Sequence, residues 1–154
     1  MSQYIDAQWL SALTALVAVV LSPIISIYVA RRQIKASVVS SNRQKWIDQL
    51  RDRLSELITG IRFLNLRQRS KNISEKEFVD KFNELFLLET RINLLLNPNE
   101  GDHKELSGKI RGAIERIFEE KDSDEPHVVK LTDEVMNLSQ GILKREWERV
   151  KRGN

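Results

Sequence analysis

The chain contains no cysteine and only two histidines, and its first 30 residues contain no lysine or arginine. Without cysteine there is no disulfide framework and no thiolate metal site, and the composition suits a reducing cytosol. No phosphate-binding loop, dinucleotide fingerprint or nucleophile elbow occurs. No useful stretch alternates apolar and polar residues, so strands are not expected. The sequence predicts an all-α protein that is not an enzyme and uses no cofactor or metal.

Residues 9–30, WLSALTALVAVVLSPIISIYVA, contain no charged side chain. At about 1.5 Å of rise per residue they form a helix of roughly 33 Å, enough to cross a hydrocarbon core of about 30 Å. Trp9 and Tyr28 lie where aromatic rings favour the membrane–water interfaces, and Arg31 and Arg32 follow directly. We therefore expect residues 1–31 to be a transmembrane anchor.

Two other interpretations of this segment are weaker. A cleaved secretory signal needs a basic start and a shorter apolar core, whereas MSQYIDAQ has no basic residue. A buried helix of a soluble protein is disfavoured because the segment is apolar on every side. A single membrane span remains the prediction.

The basic residues predict the orientation of the span. All 25 lysines and arginines follow residue 30, and such residues favour the cytoplasmic side. In a bacterium, the chain would cross the inner (cytoplasmic) membrane once. Its short N-terminus would lie outside and its C-terminal domain in the cytoplasm.

One face of the anchor carries small side chains every three or four residues. Small stripes allow helix backbones to approach closely, and serine hydroxyls can bond across the contact. The stripe therefore favours a homo-oligomer, although alanine and serine are also simply tolerated in lipid. Its members are Ser11, Ala15, Ala18, Ser22, Ser26 and Ala30.

Residues 32–42 are expected to be a juxtamembrane linker, or else a helical stalk that continues the anchor. Ser41 or Asn42 would then cap a new helix. Residues 31–53 hold seven basic and two acidic residues. Such a collar is attracted to anionic lipid headgroups at about 1 kcal/mol per cation near the surface. Lipid contact explains the charge, and a nucleic-acid polymer is not an expected partner.

Residues 43–154 form the predicted cytosolic helical domain, a bundle of about four helices with short connections. Its first helix has an apolar face with a period near 3.5, which fits either core packing or a helix lying on the membrane. Core packing is the preferred interpretation, and Gly60 would be accommodated by a close neighbour. The residues of this face are Ile47, Leu50, Leu54, Leu57, Ile61 and Leu64.

Three further helices are predicted from capping signals and apolar spacing. Ser74 with Glu77 starts the second helix, whose apolar face includes Phe78 and Phe86, and Pro98 ends it near Leu96. Asp102 with Glu105 starts the third helix, which runs to about Lys121. The acidic loop KDSDEP follows, and Pro126 fits the first turn of the last helix.

The polar side chains offer few candidates for chemistry. His103, beside Asp102, and His127 are each interpreted as part of a helix start. The loop Asn97–Gly101 lacks the spacing and the bidentate glutamate of a calcium loop. The densest basic set outside the collar would suit an anionic ligand if copies assembled around an axis, or would simply be a solvated face. It comprises Arg62, Arg67, Arg69 and Lys71.

The anchor, followed by NRQKWIDQLRDRL (residues 42–54) and RINLLLNPNEGDHKEL (residues 91–106), resembles a recurring kind of small bacterial single-pass membrane-anchored helical protein. The resemblance covers roughly residues 5–110 and carries over no catalytic residue. In architecture the chain is also similar to antiphage membrane effectors, including those that cyclic oligonucleotides open in CRISPR systems. This second similarity is one of layout rather than motif.

Two functions are therefore expected as alternatives. In the first, the chain is an oligomeric antiviral effector whose cytosolic domain senses a ligand, such as a cyclic oligonucleotide, or a partner protein and then perturbs the membrane. In the second, it is a passive anchor or scaffold that holds a partner protein at the bilayer.

Overall fold

The computed structural model describes residues 2–119 and 125–152, and within these ranges the chain is helical with no strand. Helix α1 covers Ser2–Arg69 and α2 covers Glu75–Leu95. Helix α3 covers Gly101–Glu119 and α4 covers Glu125–Lys151. Most of the predicted loop KDSDEP lies outside the described residues, whereas Pro126 is in the first turn of α4, as expected.

The chain divides into two compact units, of which the first covers the residues up to Ser41. All side chains from Trp9 to Ala30 are exposed. This segment contains an apolar window with a mean hydropathy of 2.3, none of it buried within the chain. Within the described ranges, α1 is the one helix that is long and apolar enough to span a membrane.

The second unit, Asn42–Arg152, contains the C-terminal part of α1 together with the other three helices. The backbone continues as α-helix through residues 32–42, so the stalk alternative describes this region and the new helix start at Ser41 or Asn42 is wrong. The region contains no glycine or proline. Neither residue type that most often ends a helix is present, so the backbone hydrogen bonds of α1 continue through its serines without a break.

The core of the second unit confirms the predicted apolar face of the C-terminal part of α1. The six residues Ile47, Leu50, Leu54, Leu57, Ile61 and Leu64 are all buried. All of them except Ile47 pack in one cluster with Leu85 and Ile92 of α2, with buried apolar residues of α3 and with Val135 of α4. This part of α1 therefore lies in the bundle core rather than against a membrane surface.

Helix α2 begins as predicted, since Ser74 Oγ accepts a hydrogen bond from the Glu77 backbone N–H at 3.2 Å. Its outer face differs from the prediction, because Phe86 is exposed. The prediction that Asp102 starts α3 is also wrong. Asp102 lies inside the first turn of α3 rather than at its N-cap. Its carboxylate accepts a hydrogen bond from the His103 backbone N–H at 3.1 Å and also binds Arg145 of α4.

Gly60 lies where α1 and α2 approach closely. A β-carbon at this position would stand 2.8 Å from Leu85 Cδ2. The close neighbour predicted for this glycine is therefore confirmed, and it fixes Gly60 opposite Leu85 in the α1–α2 pair.

Candidate functional site

The predicted basic set does not form one cluster of free cations. Arg62 Nη2 lies 2.6 Å from Asp133 Oδ1, and Arg62 Nε donates to Thr132 Oγ1 at 3.3 Å. Arg62 therefore joins α1 to α4. An anionic ligand at this arginine would have to displace the Asp133 carboxylate.

The other members of the set lie near the turn between α1 and α2. The Arg67 guanidinium stands 5.4 Å from the centre of the Phe63 ring and 4.0 Å from a Glu77 carboxylate oxygen. Arg69 is the last residue of α1. Lys71 is exposed in the turn, with a left-handed φ of 52°. These three cations share one end of the second unit.

A denser group of polar side chains lies at the opposite end of the second unit, near its first residue, Asn42. We call it the arginine–carboxylate cluster, and it draws on α1, the α2–α3 turn, α3 and α4. Its members are Arg43, Trp46, Asn97, Glu100, Asp102, His103, Arg145, Glu146 and Arg149.

Glu146 is the buried centre of the arginine–carboxylate cluster, and its side chain is only 7% exposed. Arg43 Nε of α1 lies 3.6 Å from Glu146 Oε2. Arg145 Nε and Arg149 Nη1 lie 3.4 Å and 2.7 Å from Glu146 Oε1. Three guanidinium groups thus surround one carboxylate, and a buried charge of this kind persists only when it is paired.

Arg145 links α4 to the start of α3. Its guanidinium donates to both Asp102 and Glu100, the latter at 2.7 Å. Partial burial raises the pKa of Asp102, but the hydrogen bond and the charge of Arg145 outweigh this effect and hold that pKa below its usual value of 3.8. The same hydrogen bond raises the pKa of Arg145. Both groups are therefore ionised at neutral pH.

His103 is buried and sits between Trp46 and Arg145. Its Nδ1 accepts a hydrogen bond from the Asn97 backbone N–H at 2.8 Å, which places the proton of the neutral ring on Nε2. The ring stacks on Trp46 with centroids 6.1 Å apart. Trp46 Nε1–H in turn donates to the Leu95 carbonyl at 2.7 Å. This chain of contacts joins α1 to the α2–α3 turn.

The donor atoms of Glu100, Asp102 and His103 lie within 4.8 Å of one another, a spacing that would suit a cation. The Arg145 guanidinium already faces all three groups, with Nη2 3.3 Å from His103 Nε2. The carboxylates of Glu100 and Asp102 are thus already paired with Arg145 rather than free to bind a cation. A cleft of about 240 Å³ borders Glu100 and His103, and its lining combines arginines with carboxylates rather than one sign of charge.

The sequence did not predict the arginine–carboxylate cluster, although some of its residues lie in segments that the sequence analysis singled out. Trp46 and His103 lie in the two segments that carry the resemblance, residues 42–54 and 91–106, and the fold brings them into contact. Arg145 and Glu146 belong to a third segment. No short-range pattern connects positions so far apart in the chain.

The small residues of the predicted anchor are exposed along α1. The hydroxyl of nearby Thr14 donates back to the Leu10 and Ser11 carbonyls at 3.0 and 2.9 Å. It is thereby satisfied inside its own helix, which is the arrangement that a polar group needs if its helix is to lie in lipid.

Comparisons of the chain with protein-family models, with curated protein sequences and with solved structures found no match.

Proposed function

We propose that this chain is a membrane-anchored, oligomeric effector of bacterial antiviral defence. Its N-terminal span crosses the inner membrane, and its C-terminal helical unit lies in the cytoplasm. There the unit responds to a ligand, such as a cyclic oligonucleotide, or to a partner protein. The response rearranges the anchors, which then perturb the bilayer.

The observation that carries the proposal is that α1 supplies both the membrane-length apolar segment and the first helix of the four-helix unit. A change in how the unit holds α1 is therefore a change in the same helix that enters the membrane. The arginine–carboxylate cluster supports this role, because Arg43 and Trp46 hold α1 to α4 and to the α2–α3 turn.

The ligand is proposed to be anionic and to meet Arg62, Arg67, Arg69 and Lys71. A phosphate group would compete with Asp133 for Arg62 and with Glu77 for Arg67, and arginine binds phosphate in a bidentate manner. Such an exchange would loosen α1 from α4. A signal acts in this way only if it binds the two arrangements with different affinity.

Dye release from vesicles tests the proposal. The full chain is reconstituted into vesicles that contain phosphatidylglycerol, and release is measured alone and with a panel of cyclic dinucleotides and cyclic oligonucleotides. We expect one compound to accelerate release. Replacing Arg62, Arg67, Arg69 and Lys71 by glutamine should abolish the dependence on the compound and should raise release without it, because the Arg62–Asp133 pair is lost. The exposed Lys144→Gln should leave both properties unchanged.

The anchor is tested in the same vesicles. Ala15→Leu, Ser22→Leu and Ser26→Leu together should abolish release, because bulky side chains separate the helix backbones. The matched control places leucine on the opposite face, with Val17→Leu, Val20→Leu and Ile24→Leu. Equal release from both triple variants would contradict a role for the small-residue face.

A passive scaffold is the alternative function. It is favoured by the exposed apolar side chains of α2, among which Leu94 is 83% exposed. A scaffold would keep its membrane location in every variant and release no dye with any compound. That combination of results would replace the effector proposal.

A further inference from the structure

An apolar groove of about 780 Å³ runs between α1 and α2 on the outside of the bundle. Gly60, Leu85 and Leu88 line it, and Phe63 and Leu87 stand at its sides. Phe63 is 42% exposed and Leu87 is 51% exposed. Because the groove lies wholly within residues 55–91, it belongs to the second unit alone.

The two walls of the groove are in antiparallel register. Gly60 lies opposite Leu85 near the middle of the pair, and Trp46 bonds to Leu95 near one end. By interpolation, Glu56 on α1 and Arg91 on α2 lie within about one helical turn of the same level, a turn being about 5.4 Å. Each wall thus offers a charge of opposite sign at nearly one height.

These two charges are available to an outside partner. Arg91 is exposed and has no ion-pair partner among the residues that the structure describes. Glu56 makes a pair with Arg53, one turn along the same helix, at 2.9 Å. Such an exposed pair contributes little and gives way easily to a better contact.

We infer that the α1–α2 groove is the contact surface for a second copy of this chain, related by a two-fold axis parallel to the helices. That axis places α1 of each copy against α2 of the other and preserves the level of every residue. Glu56 of one copy then faces Arg91 of the other, twice. Leu87 and Phe63 are covered in the same contact, which is isologous.

The charges on the two walls of the groove are complementary to each other, and this favours a second copy of the chain over an unrelated helix as the partner. Lys81 and Glu84 of the α2 wall pair with each other at 2.8 Å. This leaves Glu56 on α1 and Arg91 on α2 as charges of opposite sign at a shared level, so the surface matches its own image under this rotation. The axis also leaves Asn42, from which each chain continues towards its apolar segment, at the same end of both copies. This deepens the proposed function and rests on it, because it assigns a surface to the proposed assembly.

The test uses the full chain in detergent and exploits the absence of native cysteine. One tagged protein carries Glu56→Cys, a differently tagged protein carries Arg91→Cys, and a short bismaleimide links them. We expect cross-linked pairs from the mixture and few from either protein alone. The matched control mixes Glu115→Cys on α3 with Lys130→Cys on α4, both exposed and away from the groove, and should give no pairs.

Charge reversal supplies the second measurement. Glu56→Arg or Arg91→Glu alone sets like charges against each other in both contacts and should weaken the dimer at least about tenfold. Mixing the two variants restores opposite charges in both contacts, so the heterodimer should exceed either homodimer at least about tenfold in native mass spectrometry. An ion pair within one chain would not produce this preference.

The outcomes separate this inference from the proposed function. A dimeric wild-type chain with no Glu56–Arg91 cross-link and no heterodimer preference overturns the groove contact but leaves assembly intact. A wild-type chain that is monomeric at micromolar concentration overturns both the groove contact and the oligomeric part of the proposed function. Dye release remains an independent readout of the membrane activity.

Discussion

Asp102 shows how one ion pair makes the stability of the bundle depend on pH. Its pKa is lower in the folded chain than its usual value of 3.8, because Arg145 favours the carboxylate. A lowered folded-state pKa stabilises the fold above the unfolded-state pKa, and this contribution is lost as the pH falls through the lower value. Glu134, whose pKa the hydrogen bond from Lys109 also lowers, forms one ion pair that solvent screens, and it contributes less.

We therefore expect the free energy of unfolding to decrease as the pH falls below about 4, near the model-peptide value for aspartate. Asp102→Asn should lower stability at neutral pH and flatten the pH dependence. Denaturant titration of the full chain in a non-ionic detergent at a series of pH values provides the measurement. An unchanged slope in Asp102→Asn, with Glu134→Gln as the comparison, would assign the acid sensitivity to other groups.

Glycines in the helices should respond differently to replacement by alanine. Glycine in a helix interior costs about 1 kcal/mol relative to alanine, so Gly108→Ala and Gly141→Ala should stabilise the chain, since a β-carbon at either position meets nothing within 4 Å. Gly60→Ala should gain less, because its β-carbon would press on Leu85 at 2.8 Å.

Gly60→Val should destabilise the chain, by at least about 1 kcal/mol, because a branched side chain overpacks the α1–α2 contact. Thermal or denaturant unfolding monitored by circular dichroism measures the series. If Gly60→Ala were as stabilising as Gly108→Ala, the tight approach between α1 and α2 would be contradicted.

At the scale of the helices, Trp46 fastens α1 to the end of α2. Trp46→Phe keeps an aromatic ring against His103 but removes the hydrogen bond to the Leu95 carbonyl, 2.7 Å long. Leaving that carbonyl without its donor should cost about 1–2 kcal/mol. Trp147, which is 41% exposed, provides the matched control, and Trp147→Phe should change stability little. Equal effects of the two substitutions would show that the bond contributes nothing specific.

The helices also show which parts of the fold local sequence can predict. The apolar period of residues 47–64, the Ser74 cap and the stop at Pro98 are short-range signals, and the structure confirms them. The start predicted at Ser41 or Asn42 fails because a capping pattern needs a break in the helix, and residues 31–41 contain no residue that causes one. Asp102 has capping spacing too, but α3 begins one residue earlier, at Gly101, and the Asp102 carboxylate bonds both the His103 backbone N–H and Arg145 of α4.

The candidate site could not be predicted from short-range sequence signals, because its contacts also join residues that are far apart in the chain. The arginine–carboxylate cluster joins Arg43 to Glu146 and Glu100 to Arg145, residues that only the packed helices bring together. The predicted basic set was visible as a run of cations. Arg62 of this set pairs with Asp133 only because α1 packs against α4, and the spacing of apolar residues in the sequence does not predict that packing.

For the whole molecule, the apolar segment of α1 predicts membrane association. An arginine near the middle of a span costs about 2.5–3.5 kcal/mol on insertion scales. Leu16→Arg with Val20→Arg should therefore shift much of the protein out of the membrane fraction, whereas Val38→Arg, beyond the span, should not.

Alkaline carbonate extraction followed by sedimentation measures the two populations. A double-arginine variant that stayed fully in the membrane fraction would show that other surfaces hold the chain there. The exposed side chains of Ile34 and Val38 would then be the first to examine.

The contact between Arg43 and Glu146 has a consequence for synthesis on the ribosome. The chain is made from its N-terminus at about 5–20 residues per second, so α1 emerges whole before any residue of α4 exists. During that interval its buried stripe, from Ile47 to Leu64, has nothing from α4 to cover it. A nascent chain that stalls before Glu146 would leave this apolar surface without its α4 partner residues and accessible to chaperones and proteases.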